Sequence, residues 1–393
     1  MPPGSLWLLV GILGIFSVII LYPMLLLLCP RKLAPPPAMP AGEWPTVAVI
    51  TAARNAAPCI EKKLQNLVAL DYPKDRLSFV VASDGSRDDT CDHVRRASVP
   101  GLQLVEQLTH AGKAAALNQA VARCEADLLL FSDVDALLSP DAVQQLVRHF
   151  ADPDIGGVCG QRVIVTDWDR SYNAQQRYIT IDSLLKQVES AHGRITSNDG
   201  KIHMIRRALF RPIPADVTDD LYTALSIIAQ GFRFVFEPAA IAMIGLPSRN
   251  LRHEIHRRRR IVTRSLTGIF RMRRLLNPFG FGLFAIGLLC NKVGRRLLPF
   301  FLLATIAGGL QMGIALLPLP LVAVFLMLLA LGVFVLSVGP CLALPSRILT
   351  ILLTVRFALV GFVGTAWGVL DFLIGRRVSV WEPQKTLVGG YET

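Results

Sequence analysis

The chain has 393 residues, of which 52% are hydrophobic and only 18% charged, with a formal net charge of +12. That is too apolar for an ordinary soluble protein, and it directs attention to long uncharged stretches. The positive excess lies near such stretches: residues 249–274 hold ten arginines and a single acid, Glu254, which suits a membrane surface or an anionic ligand and argues against nucleic acid as partner.

Leu6 to Cys29 carries no charge over 24 residues, more than the ~20 that a helix needs to cross a bilayer. Arg31 and Lys32 follow it and no basic residue precedes it, the reverse of a cleaved signal peptide. Residues 1–29 therefore read as an uncleaved anchor whose far side is cytoplasmic. The Pro-rich stretch 30–45 reads as a stiff linker.

From residue 46 the pattern changes to alternating strands and helices. "TVAVITAAR" (46–54) predicts a strand, and a helix follows from about Cys59 to Leu70. "LSFVVASDGSRDDT" (77–90) is a strand that runs into a carboxylate-rich turn, and "LQLVEQL" (102–108) is a third strand. Gly112-Lys113 opens an apolar-periodic helix that ends near Arg123. "ADLLLFSDVD" is a near-continuously apolar fourth strand, the form expected when helices cover both faces of a sheet. Such alternation implies a Rossmann-like α/β domain with a mostly parallel sheet, over about 46–250, whose ligands sit beyond the carboxyl ends of the strands. Asp84, Asp133 and Asp135 fall at those ends.

Asp133 and Asp135 stand one residue apart, and no basic residue adjoins them in sequence. Two carboxylates held so close repel, and a shared proton or a cation relieves the repulsion. Mg²⁺ and Mn²⁺ favour one or two carboxylates together with phosphate oxygens, so a metal–diphosphate bridge is one reading and a solvated loop is the other.

The C-terminal part returns to apolar spans. Residues 251–296 are expected to be basic juxtamembrane and interfacial helices. Within them Phe279–Cys290 is too short to span and leads into Lys292, Arg295 and Arg296. Leu297–Leu317, Leu321–Val338 and Ile348–Ile374 predict three membrane helices over 297–374. Arg376, Arg377 and Lys385 then lie in a 375–393 tail on the far side, against the positive-inside trend. Arg356 and Asp371 are the intramembrane ionisable residues. They stand ~22 Å apart along a straight helix, too far to pair with each other, and are expected to reach opposite interfaces. Seven scattered cysteines with no CxxC pair fit reduced, packed thiols in a cytoplasmic domain.

The segments "VAVITAARNAAPCIEKKLQNLVALDYPKDRLSFVVASDGSRDDT" and "HAGKAAALNQAVARCEADLLLFSDVDALLSP" together resemble the family-2 glycosyltransferases, inverting enzymes with a GT-A fold. Within them the likeness is to the membrane-embedded cellulose, chitin-oligosaccharide, poly-N-acetylglucosamine and hyaluronan synthases and their exopolysaccharide relatives. It covers roughly residues 45–265. The resemblance implies that Asp84 contacts the base or ribose of a nucleotide, that Lys113 lies beside it, and that Asp133 and Asp135 serve the diphosphate and a Mg²⁺ or Mn²⁺ ion. "ADVTDDLYTALSIIAQGFRFVFEPAA" (215–240) looks like the family's T-E-D segment, with Asp219 where Glu is usual and Asp220 in the general-base position. An inverting transfer needs one such carboxylate to take the acceptor proton. Acids in a first helical turn also act as caps, and both readings hold for Asp219.

"NDGKIHMIRRALF" (198–210) matches a stretch in which a glycine loop and an Arg pair, here Arg206 and Arg207, flank the acceptor and donor pockets. "HEIHRRRRIVTRS" matches the family's Q/R-x-x-R-W as Arg257-x-x-Arg260-Ile261, so the two arginines suited to diphosphate are present and the tryptophan is not. The same run equally suits anionic lipid.

The resulting expectation is a membrane-bound inverting transferase of the inner membrane with a cytoplasmic catalytic domain. It would use a nucleotide-sugar donor, a UDP-sugar in the first instance, and a lipid or glycan acceptor, with an export subunit as a possible partner. Ile261 in place of Trp makes nonprocessive transfer of one sugar to a lipid-linked acceptor the alternative. A nucleotide-binding subunit of a glycan transporter is the alternative from another class.

Overall fold

The computed structural model describes residues 4–29, 44–165, 172–245, 251–314 and 346–376. Among the described residues eight strands form one sheet: β1 Val47–Ala53, β2 Leu77–Asp84, β3 Leu102–Gln107, β4 Leu128–Phe131, β5 Ala136–Leu138, β6 Ile155–Ile164, β7 His203–Arg206 and β8 Arg233–Ile244. Their spatial order is β3-β2-β1-β4-β7-β6-β8-β5. The β3-β2-β1-β4 block is parallel throughout, β6 and β8 also run parallel, and β7 and β5 are antiparallel to their neighbours. The expected strand–helix alternation of 46–131 is thus realised, and the sheet is then extended by mixed strands.

Helices cover both faces, which is why β1 and β4 are apolar without alternation. On one face Ile60, Leu64 and Leu67 of the helix Ala57–Val68 meet Val49, Val81 and Leu130. On the other, Ala116, Leu117 and Ala120 of Lys113–Ala122 and Ile227 and Ile228 of Asp219–Ala229 meet Ile50, Val80 and Leu129. Leu129 and Leu130 are 0% exposed, and burial of each stabilises the fold by about 1.5–3 kcal/mol.

Among the described residues two helices are long and apolar enough to cross a membrane, Ser5–Leu28 and Pro278–Gly313. They lie against each other through glycines: a Cβ on Gly11 would fall 2.6 Å from the Phe301 carbonyl oxygen, so only glycine allows the approach. The segment 279–290, expected as a separate interfacial helix, is part of the long apolar helix Pro278–Gly313. Asn277 caps its start and Gly282 (φ +54°) kinks it, but Lys292 and Arg295 do not end it, because they turn to Ser197 and Asn291. The expected span Leu321–Val338 and almost all of the 375–393 tail lie outside the described residues.

The last described helix, Ser346–Leu373, packs along the arginine-rich helix Leu251–Arg271. Gly364 and Gly368 permit it, since Cβ atoms there would lie 2.8 Å from the Ile255 carbonyl oxygen and 2.6 Å from that of Arg259. Asp371 does not reach for an interface as expected. It is 2% exposed and forms a two-pronged pair with Arg259, one arm at 2.9 Å, while that guanidinium also stacks 4.1 Å over Trp367.

Candidate active site

The cleft lies beyond the carboxyl ends of β2 and β4. Asp84, the last residue of β2, is 3% exposed. Its Oδ1 accepts from the backbone N–H of Ala111 (2.8 Å) and Gly112 (3.0 Å), and His110 Nδ1 lies 2.8 Å from Oδ2. Its carboxylate is therefore taken up in holding the 110–112 loop rather than open to the cleft. Gly85 (φ +61°) makes this possible, because a Cβ there would sit 2.7 Å from the His110 nitrogen. The loop in turn fixes the start of the helix that carries Lys113.

Lys113 Nζ stands 2.7 Å from Asp133 Oδ1 and 2.6 Å from Asp219 Oδ2. Lys201, at the mouth of β7, stands 3.1 Å from Asp133 Oδ2 and 2.7 Å from Asp135 Oδ1. The aspartate pair that is isolated in sequence thus has lysines on both sides. Burial opposes charge on Lys113, Lys201 and Asp133, but their attraction to opposite charges outweighs it: both ammoniums are held above the ordinary lysine range and the Asp133 carboxyl well below the ordinary carboxylate range. Beneath the pair, Lys63 is fully buried and donates to Ser132 Oγ (2.7 Å) and the Ala136 carbonyl (2.6 Å), tying down both ends of the 132–136 turn. Burial pushes its ammonium down to about 7, with Asp133 and Asp135 pulling the other way.

Asp219 and Asp220 open the first turn of their helix. Burial and the neighbouring Asp219 charge push the Asp220 carboxyl up to about 6. The Leu221 N–H donates to its Oδ1 at 2.7 Å, and Asn198 donates to its backbone carbonyl at 2.9 Å. The arginine-rich helix clamps the segment leading into this turn. Arg271 Nη2 donates to both Asp216 carboxylate oxygens, at 2.7 and 2.9 Å, and Arg264 Nε donates to the Val217 carbonyl at 2.9 Å. Arg260 lies on the same side. Burial and Arg264 push it down to about 10, against the pull of Asp219 and Asp220. Arg257 instead makes a two-pronged pair with buried Glu254, both arms at 2.9 Å.

The structure therefore gathers Lys113, Asp133, Asp135, Asp219, Asp220 and Arg260, and sets Asp84 behind them. Arg206 and Arg207 do not join them. The register pairs Arg206 with Leu128 at the far end of β4, three residues or ~10 Å from Phe131. There Arg206 donates to the carbonyls of Phe150, Asp152 and Ile155. Sequence reasoning missed Lys63, Lys201, and His203, which burial pushes down to about 4 and which stacks 5.0 Å from Phe131. Lys63 did leave a signal, because it shares the apolar helical face of Ile60, Leu64 and Leu67.

Among the described residues no three His, Cys, Asp or Glu side chains converge as a metal cage. Two half-open carboxylates suffice, however, for Mg²⁺ or Mn²⁺ that also draws phosphate oxygens from a substrate. The Lys201 ammonium between Asp133 and Asp135 marks the point where a positive charge is required. The residues fit such an ion.

A parallel nucleotide-binding block with paired aspartates after its fourth strand, extended by mixed strands, is the GT-A fold of glycosyltransferases. Residues 48–213, less than half of the chain, match the model for Glycosyl transferase family 2, and the chain is an enzyme, a glycosyltransferase. An N-acetylglucosaminyltransferase of Rhizobium sp. (strain N33) is 28% identical over 345 residues, covering 80% of this chain and 73% of the relative. The beta-monoglucosyldiacylglycerol synthase of Synechocystis sp. is 29% identical over 191 residues, covering 45% of this chain and 39% of that protein. In fold the chain is similar to a mannosyltransferase from Pyrobaculum calidifontis solved with GDP-Man and Mn²⁺, with TM-score 0.70 and 24% identity over 95% of this chain and 99% of the other.

Proposed function

We propose that the protein is a membrane-bound inverting glycosyltransferase that moves a sugar from a nucleotide-diphosphate donor, in the first instance a UDP-sugar, to a lipid or glycan acceptor, forming a β-linked product. The observation that carries this reading is the placement of Asp220. Its carboxylate, pushed up to about 6, stands beside a lysine-neutralised aspartate pair, so a proton acceptor and an anion-binding site share one cleft. At neutral pH Asp220 is ionised and takes the acceptor hydroxyl's proton as that oxygen attacks the anomeric carbon. The nucleoside diphosphate leaves from the opposite face, so the configuration inverts.

Asp133 and Asp135 would hold a Mg²⁺ or Mn²⁺ ion, which supplies charge neutralisation for the leaving diphosphate. Lys113 and Arg260 add fixed positive charge on that side, Arg260 with a fork suited to phosphate. Arg257 supports the arginine helix through Glu254. Asp84 acts on the nucleotide through the loop it pins. The two membrane-length helices support a site held at a membrane, and the basic helix between them supports a cytoplasmic orientation.

Single-sugar transfer to a lipid is a second reading, favoured by Ile261, which offers no aromatic face on which an acceptor sugar can stack. The test is purified protein in lipid with Mn²⁺ and a panel of radiolabelled UDP- and GDP-sugars, with product partitioned between organic solvent and high-molecular-weight material. Extractable label supports single transfer and label in polymer supports synthesis of a chain. Absence of transfer from every donor would count against the assignment.

A further inference from the structure

The aspartate pair already holds a cation, and that cation belongs to the chain. Lys201 Nζ bridges Asp133 Oδ2 at 3.1 Å and Asp135 Oδ1 at 2.7 Å, the two carboxylates that would hold a divalent ion. The lysine is delivered there by a firm support. Its backbone N–H donates to Asp199 Oδ1 at 3.1 Å, and Asp199, itself 6% exposed, lies 3.5 Å from Arg162 Nε. Only the four-carbon side chain is free to swing.

We propose that Lys201 is a tethered placeholder for the metal, so that this enzyme takes up its divalent ion together with the nucleotide diphosphate and not before it. The proposal rests on the metal reading given above. Charge decides the order. Asp133, Asp135, Asp219 and the ionised Asp220 against Lys113, Lys201 and Arg260 leave one net negative charge at the centre, too little to draw in a doubly charged ion unaided. A metal arriving alone must expel the ammonium from both carboxylates and leave it only Asp199, which already faces Arg162, as an anion in reach. A diphosphate changes both terms, because it brings at least two negative charges and offers the displaced ammonium phosphate oxygens within side-chain reach. Lys201 thus leaves the carboxylates for the leaving group and becomes a phosphate-positioning residue. Lys113 is not equivalent, since its second partner is Asp219 and not Asp135.

The experiment is Mn²⁺ binding followed by electron paramagnetic resonance on the full chain in lipid, with no nucleotide, with UDP and with GDP, for the wild type, Lys201→Met and Lys201→Met/Asp135→Asn. The wild type is expected to bind Mn²⁺ appreciably only with a nucleotide. Lys201→Met is expected to bind Mn²⁺ alone at least tenfold more tightly than the wild type, and the added Asp135→Asn change to remove that gain. Wild-type-like Mn²⁺ affinity in Lys201→Met, with nucleotide-dependent binding intact, would overturn the placeholder role while leaving the metal site standing. Wild-type binding of Mn²⁺ as tight without nucleotide as with it would overturn it equally. No Mn²⁺ binding under any condition would remove the metal reading and this proposal with it.

Discussion

Lys113 Nζ lies 2.7 Å from Asp133 and 2.6 Å from Asp219, joining the turn after β4 to a helix that begins 86 residues later in the chain. One ammonium thus assembles the two halves of the cleft. Replacing it with methionine leaves two carboxylates facing each other with no shared cation. Lys113→Met is expected to weaken nucleotide binding by roughly 10- to 100-fold, equivalent to about 1.4–2.8 kcal/mol. Titration with a fluorescent UDP or GDP analogue measures this, and unchanged affinity would remove Lys113 from the donor site.

The position of the Asp220 carboxyl sets a pH dependence. A base must be ionised, so transfer should rise as pH climbs through about 6 and level off above it. Stability follows the opposite trend. The folded pKa is raised above the ordinary 3.8, so stability is greatest below that value and is lost as pH rises through about 6. Asp220→Asn should therefore unfold at a higher temperature than the wild type at pH 7.5. The gain should be on the order of 1 kcal/mol, less than the full shift because the carboxylate is part-exposed. A lower melting temperature at that pH would contradict the burial argument.

The sequence made the scaffold of this site legible and its counter-ions largely not. Strand ends could be read because apolar runs such as "LLLF" stop abruptly at carboxylates, and the period of a strand needs only neighbouring residues. The partners of those carboxylates come from 20 residues away for Lys113 and 66 for Lys201, a pairing that only the sheet register creates. Asp371 is the clearer case. Local reading gave it a snorkelling role, whereas its partner Arg259 lies 112 positions earlier on a helix whose contact depends on glycine spacing. Arg206 failed for the opposite reason: its motif matched, but antiparallel pairing carries it to the wrong end of β4.

That helix contact should be fragile. Gly368→Leu places side-chain atoms where the Arg259 backbone and Val262 already stand, and Asp371→Ala strands a part-buried guanidinium. Each is expected to lower the melting temperature, with Asp371→Ala costing about 3 kcal/mol or more. Disulfide cross-linking between cysteines placed on the two helices reports the contact directly, and undiminished cross-linking in both variants would contradict it.

Ile261 follows Arg260 on the helix facing Asp219 and Asp220. If the acceptor passes this residue, Ile261→Trp supplies an aromatic face and should lengthen the product, measured by gel filtration of labelled material. An unchanged length distribution would place the acceptor elsewhere.

Whether Asp220 is the base of a sugar transfer is decided by turnover and donor binding measured together in one variant. In Asp220→Asn, transfer from the preferred nucleotide-sugar should fall by roughly 1,000-fold or more while Mn²⁺-dependent binding of the same donor stays within about threefold of wild type. Transfer retained within tenfold of wild type, with binding intact, would exclude Asp220 as the base.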